Sequence, residues 1–481
     1  MEENLKSKTI SGFIYKTLER VGAQGVKFVV TLVLARILLP EDYGLIALVT
    51  IIITILDVFV TYGFGNSLIA NKNSDQVDFS TCFYFGLALS IIVYFLTYIS
   101  APLIASFYNN KLLIVLVRVM ALRIPIAAIN SVQHAYVSKH MMFRKFFIST
   151  SIGTVLSGVI AIIMAYKGLG VWALVEQYLG NVVCDTVCLW FIVGWRPSLA
   201  FSLRRLKAIY SYGWKIIVVG LIDTGYNQLR SLIIAKKYSK QYLAYYDKGN
   251  QFPSTGMSII EPTVNGVLFP ALSKCNDNQS KMRNITRRII KTSTYVCFPM
   301  MIGLMAIAKP LTVVLLTEKW LPSVIYLQIG CLAYLFRPLQ FINNSVIKAS
   351  GHSGLLLKLD IVKKGIGILL LLASVHLGVT AIAISLVITN LISTFINIAP
   401  NRKILAYGYR MQLSDIWHSG IIAVIMGGIV YAVSFLPINY YLMLAIQIVV
   451  GVTSYILISM VSHNENYEYI IGMIKKRKSV V

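Results

Sequence analysis

The sequence predicts an all-α polytopic membrane protein: about 14 transmembrane helices, in two parallel-repeat six-helix lobes followed by two C-terminal helices. Three observations predict it. Long apolar runs recur along all 481 residues, of which 57% are hydrophobic and 13% charged, with a mean hydropathy of +0.72; a soluble chain carries roughly 25% charged residues. Basic residues crowd onto alternate loops. One polar interruption is written twice, as Arg123-Ile124-Pro125 with Ile129-Asn130 and as Arg337-Pro338 with Ile342-Asn343.

The apolar runs place helices near 12–35, 44–68, 79–104, 112–137, 146–166, 169–193, 208–235, 241–271, 289–308, 321–347, 355–375, 378–399, 417–436 and 438–461. No polar stretch is long enough for a soluble domain of about 50 residues. The expected organisation is an N-terminal lobe 1–195, a cytoplasmic linker 196–207, a C-terminal lobe 208–400, a cytoplasmic loop 401–416, two helices over 417–461 and a basic tail 462–481. The start, Met-Glu-Glu-Asn with Lys6 and Lys8, lacks a short apolar core with a small-residue cleavage site, so the first helix is expected to stay as a start-transfer span.

A net charge of +25 suggests nucleic acid until its distribution is considered. With the N-terminus inside, the excess falls on one side. It includes Lys139, Arg144 and Lys145; Arg196, Arg204, Arg205 and Lys207; Arg283, Arg287, Arg288 and Lys291; Arg402, Lys403 and Arg410; and Lys475 to Lys478. That is the positive-inside bias of a protein in a cell (inner or plasma) membrane with both termini cytoplasmic, in contact with anionic lipids and not nucleic acid. Lys236, Lys237 and Lys240 fall outside.

The duplication runs beyond the two prolines. Pro125 and Pro338 stand 213 residues apart, as do Ile129 and Ile342. Leu169-Gly170-Val171-Trp172-Ala173-Leu174 matches Leu377-Gly378-Val379-Thr380-Ala381-Ile382 at 208. Ala35-Arg36 before Tyr43-Gly44 matches Ala235-Lys236 before Leu243-Ala244 at 200, which accounts for the external lysines. Three ordered matches describe a six-helix unit copied once. Six is even, so both copies keep one orientation.

Cations inside predicted spans are Lys16, Arg20, Lys27, Arg118, Arg123, Lys215, Arg230, Lys248 and Arg337; the acids there are Glu19, Asp57, Glu176, Asp185, Asp223 and Glu261. Each costs on the order of 2.5–3.5 kcal/mol at a bilayer centre, so they are expected to face protein or a water-filled cavity. Lys16, Lys215 and Lys248 lie near enough to helix ends to snorkel. Lys16, Arg20 and Lys27 share one helix face, and Arg118 is expected to pair with an acid. A proline beside a cation frees backbone carbonyls that lipid cannot satisfy. A cavity richer in cations than acids suits an anion, and arginine's planar fork suits a pyrophosphate. The substrate-binding candidates are Arg20, Lys27, Arg123, Asn130, Arg230, Arg337 and Asn343. Asp57, Glu176 and Asp223 are candidates for proton or sodium coupling, with structural pairing to nearby arginines as the alternative. For Arg230 the alternative is an internal pair with Asp223.

No hydrolytic motif, nucleotide loop or metal-ligand spacing is present, so no enzyme activity, metal or cofactor is expected. The six cysteines form no CxxC pair.

Ala35-Arg36-x-Leu38-x-Pro40-x-x-Tyr43-Gly44, Gly170-Val171-Trp172-Ala173-Leu174 and the basic linker before Tyr212-Gly213-Trp214 resemble the polysaccharide and O-antigen (Wzx-type) flippases of the multidrug/oligosaccharidyl-lipid/polysaccharide exporter superfamily. The resemblance spans essentially the whole chain. It implies a fourteen-helix exporter fold with two lobes in a V. It further implies a carrier of undecaprenyl-pyrophosphate-linked oligosaccharide for lipopolysaccharide or related polysaccharide biosynthesis, working by alternating access beside a polysaccharide polymerase. The competing readings are a multidrug exporter of that superfamily, which the cation excess disfavours, and a membrane glycan polymerase or ligase, which needs a large external loop absent here.

Overall fold

The computed structural model describes residues 22, 25–61, 64–70, 74–275 and 278–478. Lys16, Glu19 and Arg20 lie outside the described residues. Every regular element among the described residues is helical. The chain divides into two compact units, Met1–Ala244 and Tyr245–Val481.

The first unit holds α1 (25–37), α2 (Pro40–Thr61), α3 (Phe64–Ala70), α4 (Gln76–Phe107), α5 (Leu112–Met120), α6 (Arg123–Lys139), α7 (Phe143–Tyr166), α8 (Val171–Ile192) and α9 (Leu203–Lys237). Helix α10 (Lys240–Ser273) begins in it and runs into the second unit. There follow α11 (Gln279–Ala306), α12 (Ala308–Leu316), a 3-10 turn at Glu318–Ser323, α13 (Val324–Leu335), α14 (Arg337–Ala349), α15 (Ser353–Ser374), α16 (Val379–Ile404), α17 (Tyr409–Ala432), α18 (Tyr440–Val461) and α19 (Glu465–Lys478).

Nine stretches among the described residues are long and apolar enough to cross a membrane. Helices α8, α9, α10 and α15 have the length, at 22 to 35 residues, but carry too much polarity. Glu176 and Asp185 lower α8, Lys215, Asp223 and Arg230 lower α9, and Lys248 and Glu261 lower α10. Helix α4 shows what solvent the protein is built for. Its Leu96, Ile99 and Leu103 are exposed, while its Thr81, Ser90 and Thr97 are buried. Apolar side chains outward and small hydroxyls inward is the arrangement lipid selects.

Two expected single helices are divided at the duplicated interruption. The run near 112–137 ends at Met120 and restarts at Arg123; the run near 321–347 ends at Leu335 and restarts at Arg337. Pro125 and Pro338 therefore sit in the first turn of a new helix, where their missing N–H forfeits no hydrogen bond. The Leu-Gly-Val repeats open α8 and α16 alike. Gly170 and Gly378 are their N-caps, at φ +53° and +106°, backbone that other L-residues rarely adopt.

Other expected boundaries shift. The run near 44–68 gives two helices, α2 and α3; α11 starts at Gln279, inside an expected loop; and the basic tail contains α19. In α11 the reason is a cap, since Asn278 Oδ1 accepts from Lys281 N at 2.9 Å. In α19 the first turn is tied down: Glu465 pairs with Lys291 at 2.8 Å and Arg288 at 2.9 Å.

Gly44 has a specific duty in the first unit. A Cβ there would lie 1.9 Å from the Lys240 carbonyl oxygen. Beside it Glu41 takes Lys240 at 3.4 Å and Gln241 Nε2 at 2.6 Å. The two matching turns of the repeat, Tyr43-Gly44 and Leu243-Ala244, thus belong to one packed region.

Candidate functional site

Each divided helix restarts on an arginine, and each arginine meets a carboxylate of its own unit. In the first unit Arg123 Nε donates to Asp57 Oδ2 on α2 at 3.0 Å. The guanidinium carbon lies 4.5 Å from the Tyr178 ring centroid, so the tyrosine of α8 covers one face of the cation. In the second unit Arg337 Nε donates to Glu261 Oε2 on α10 at 3.0 Å. Side-chain exposure is 26% for Arg123 and 39% for Arg337, so neither is sealed in a core. In both pairs the same donor atom is used. Among the described residues no acceptor reaches Nη1 or Nη2 of either arginine, and four N–H donors of each fork stay available.

Lys27 is exposed on α1 and close enough to Arg123 for their like charges to interact. Arg123 thus has one carboxylate, Asp57, and one like charge, Lys27, acting on it. The Oδ1 atom of Asp57 is buried with no partner among the described residues. Arg20 lies outside them.

The asparagines one turn beyond the prolines go inward. Asn130 Nδ2 donates to Asp185 Oδ2 at 2.7 Å, and the same carboxylate meets His134 Nε2 at 3.2 Å and Thr150 Oγ1 at 3.4 Å. Asn343 is fully buried; it exchanges hydrogen bonds with Gln412 at 2.9 Å each way, and Asn401 donates to its Oδ1. A side chain with no accessible surface offers nothing to a ligand in this conformation. Arg230 is also buried, its guanidinium 5.8 Å from the Tyr226 ring, while Asp223 on the same helix is exposed. Glu176 is half-buried and lies over Gly180, with no hydrogen bond or ion pair among the described residues.

Two expectations about cations change. Arg118 donates Nε to the Tyr98 carbonyl at 3.3 Å and stacks 4.1 Å over that tyrosine's ring, where an acid partner was expected. Lys248 does not snorkel; it is buried near Gln251 and Trp320. Among the described residues no group of three His, Cys, Asp or Glu side chains is placed to hold a metal.

Sequence reasoning left Glu261 and Tyr178 out of the site. Glu261 had a signal: it follows Asp57 by 204 residues, within the range of the repeat's other offsets. A second unnoticed pair obeys the same rule. Gln76 Nε2 donates to the Arg196 carbonyl and Gln279 Nε2 to the Ile404 carbonyl, both at 2.6 Å. Each glutamine opens a helix and ties it to the end of the repeat unit.

The comparisons with known proteins fit this architecture. The family described as polysaccharide biosynthesis protein matches residues 33–325. The succinoglycan biosynthesis transport protein ExoT of Rhizobium meliloti (strain 1021) is 25% identical over 66% of this chain and 65% of its own length. The lipopolysaccharide biosynthesis protein WzxC of Escherichia coli (strain K12) is 24% identical over 86% of this chain and 85% of its own. Among solved structures, lipid II flippase MurJ in an inward closed conformation superposes with a TM-score of 0.72 at 14% identity, covering 95% of this chain and 99% of that one. At that identity the likeness is one of fold.

Proposed function

This chain belongs to the polysaccharide biosynthesis protein family, and we propose that it carries a lipid-linked oligosaccharide across the cell membrane. The cargo is the undecaprenyl-pyrophosphate-linked repeat unit of a polysaccharide such as an O-antigen. The observation that carries this reading is the pair of partly exposed arginines with open forks, one at the broken helix of each unit. A diphosphate presents planar sets of oxygens that a guanidinium fork meets with two parallel hydrogen bonds. A lipid-exposed arginine has no comparable use for its fork. The names of the relatives agree in kind: one is a succinoglycan biosynthesis transport protein, and another is a lipopolysaccharide biosynthesis protein.

In the proposed cycle the pyrophosphate-sugar head enters from the cytoplasm while the polyprenyl tail stays in lipid. Arg20, Lys27, Arg123 and Arg337 neutralise the head, and alternating access exposes it outside. An inside-negative potential favours an anion leaving by roughly 2.3 kcal/mol per charge per 100 mV. Asp57, Glu176 and Asp223 are the candidates for taking up a proton or sodium ion to reset the carrier. Of these, Glu176 has the half-buried setting and no competing arginine among the described residues. The buried Asn130, Asn343 and Arg230 support the scaffold in this state. A polysaccharide polymerase would take the product, and no chemistry is assigned to the chain itself.

The test is translocation in liposomes carrying a fluorescent undecaprenyl-pyrophosphate oligosaccharide. Wild type is expected to move the label between leaflets, and Arg123→Ala/Arg337→Ala to slow it at least about a hundredfold, the loss of two charge-assisted contacts. No translocation by folded wild type under proton and sodium gradients would move the reading to a drug exporter. Full activity of the double variant would keep a carrier and remove this site.

A further inference from the structure

We propose that Asp57 and Glu261 are positioning residues: each takes the Nε–H of its arginine, fixes the guanidinium plane, and so presents the terminal Nη1/Nη2 fork end-on to a phosphate. The inference rests on the flippase reading above and adds to it a role for two carboxylates, Asp57 and its counterpart in the repeat, Glu261.

The argument is geometric. A free arginine side chain offers a phosphate two bidentate edges, the Nε/Nη edge and the Nη1/Nη2 end. Here the Nε position is occupied at 3.0 Å in both units, by Oδ2 of Asp57 and Oε2 of Glu261, so the end-on edge is left. The carboxylate does not take the fork itself. A bidentate Arg–carboxylate pair, as between Arg287 and Asp415 at 2.8 and 2.7 Å, spends Nε and Nη2 together. The two intramembrane pairs differ from that pair in the same way. Each also joins the same helices of the repeat, the second and the restarted fourth. Tyr178 adds a second restraint on Arg123 by covering its face. A long side chain held at its neck loses less rotamer freedom when the phosphate arrives.

A carboxylate beside an arginine also offsets its charge, which by itself weakens anion binding. The two effects are separable. Asn and Gln keep an amide oxygen for Nε–H and lose the charge; Ala loses both. The experiment measures inorganic pyrophosphate binding to the full-length protein in nanodiscs at low salt. Positioning predicts that Asp57→Asn and Glu261→Gln bind as well as wild type or tighter, whereas Asp57→Ala and Glu261→Ala bind about tenfold more weakly. It also predicts that Asp57→Ala adds no further loss in an Arg123→Ala background, because the carboxylate acts only through that arginine. Tighter binding by the Ala variants would make the carboxylates charge ballast and overturn the proposal. An equal loss from Asp57→Ala in both backgrounds would place its effect elsewhere in the fold and overturn it too. The two readings fail differently: Arg123→Ala/Arg337→Ala binding pyrophosphate like wild type sinks the phosphate site itself, whereas arginine-dependent binding indifferent to Asp57 and Glu261 sinks only the positioning role.

Discussion

The two broken helices hold the same ion pair in different scaffolds. Arg123–Asp57 and Arg337–Glu261 agree in donor atom, distance and the helices they join. One turn further on the copies part. Asn130 leans on Asp185, a carboxylate shared with His134 and Thr150. Asn343 leans on Gln412 and Asn401, both neutral amides, and Gln412 comes from α17, outside the repeat. The part that faces accessible space has kept its chemistry, while the part that only has to satisfy buried polar groups has found two solutions. A buried amide donor is served by a carboxylate or by another amide alike, and in each set one amide oxygen, of Asn130 and of Asn401, is left without a partner among the described residues.

Breaking the asparagines should expose that difference most strongly. Asn343→Leu leaves Gln412 Oε1 without its donor and takes from Gln412 Nε2 and Asn401 Nδ2 the Oδ1 they share, in a site with no access to solvent, where an orphaned buried group costs about 1–3 kcal/mol. Asn130→Leu removes one donor from a carboxylate that keeps His134 and Thr150, so a cost near the lower end of about 1–3 kcal/mol is expected. Thermal denaturation in one detergent reads both. A lower melting temperature for Asn130→Leu than for Asn343→Leu would contradict the account.

How legible these scaffolds are in the sequence follows from the kind of signal each sends. Apolar runs reveal lipid-facing helices because the bilayer selects composition over about 20 positions. A polar interruption at Arg123 and Arg337 was readable because a proline beside a charge is incompatible with an uninterrupted lipid-facing helix, whereas the full division of each run into two helices was not. Arginine and carboxylate partners were not readable from composition, since Asp57 and Arg123 meet across 66 residues. The partner of Arg337 was recoverable in principle, because the duplication fixes where a second acid belongs. The inward turn of Asn130 and Asn343 was not, because a one-position rotation of a helix by 100° decides whether an amide meets a cavity or a neighbour. Helix α19 was hidden by its basic composition; ion pairs to Lys291 and Arg288 hold its first turn, and those lie far away in sequence.

A smaller contrast lies at the two glutamines that close the repeats. Gln76 works with both ends of its amide: Nε2 donates to the Arg196 carbonyl, and Oε1 accepts from Trp195 Nε1 at 2.6 Å. Gln279 makes only the first of these bonds among the described residues. Gln76→Ala is therefore expected to cost about 1–2 kcal/mol and Gln279→Ala about half that, in proportion to bonds lost. Equal costs would mean that the Trp195 indole finds water as easily as it finds Gln76.

The least effect is expected from acid, and it sharpens the same contrast at the ends of the two units. In the first, Asp75 caps α4 and receives Arg205, whose hydrogen bond holds the carboxyl below its ordinary range. In the second, the hydrogen bond from Lys291 does the same for Glu465. A carboxylate depressed in the folded protein contributes stability that is fully present above its unfolded pKa, about 3.9 for Asp and about 4.3 for Glu, and is lost as pH falls through the folded value. Both groups are largely exposed, so solvent and salt screen the interaction and the change is small. Asp75→Asn and Glu465→Gln should flatten the decline of stability below about pH 4 and leave stability at pH 7 slightly reduced. Only Asp75→Asn keeps a helix cap, because an amide oxygen still accepts from Val77 N and Asp78 N. The neutral-pH loss should therefore be smaller for Asp75→Asn than for Glu465→Gln, which gives up its two cationic partners with no cap to retain.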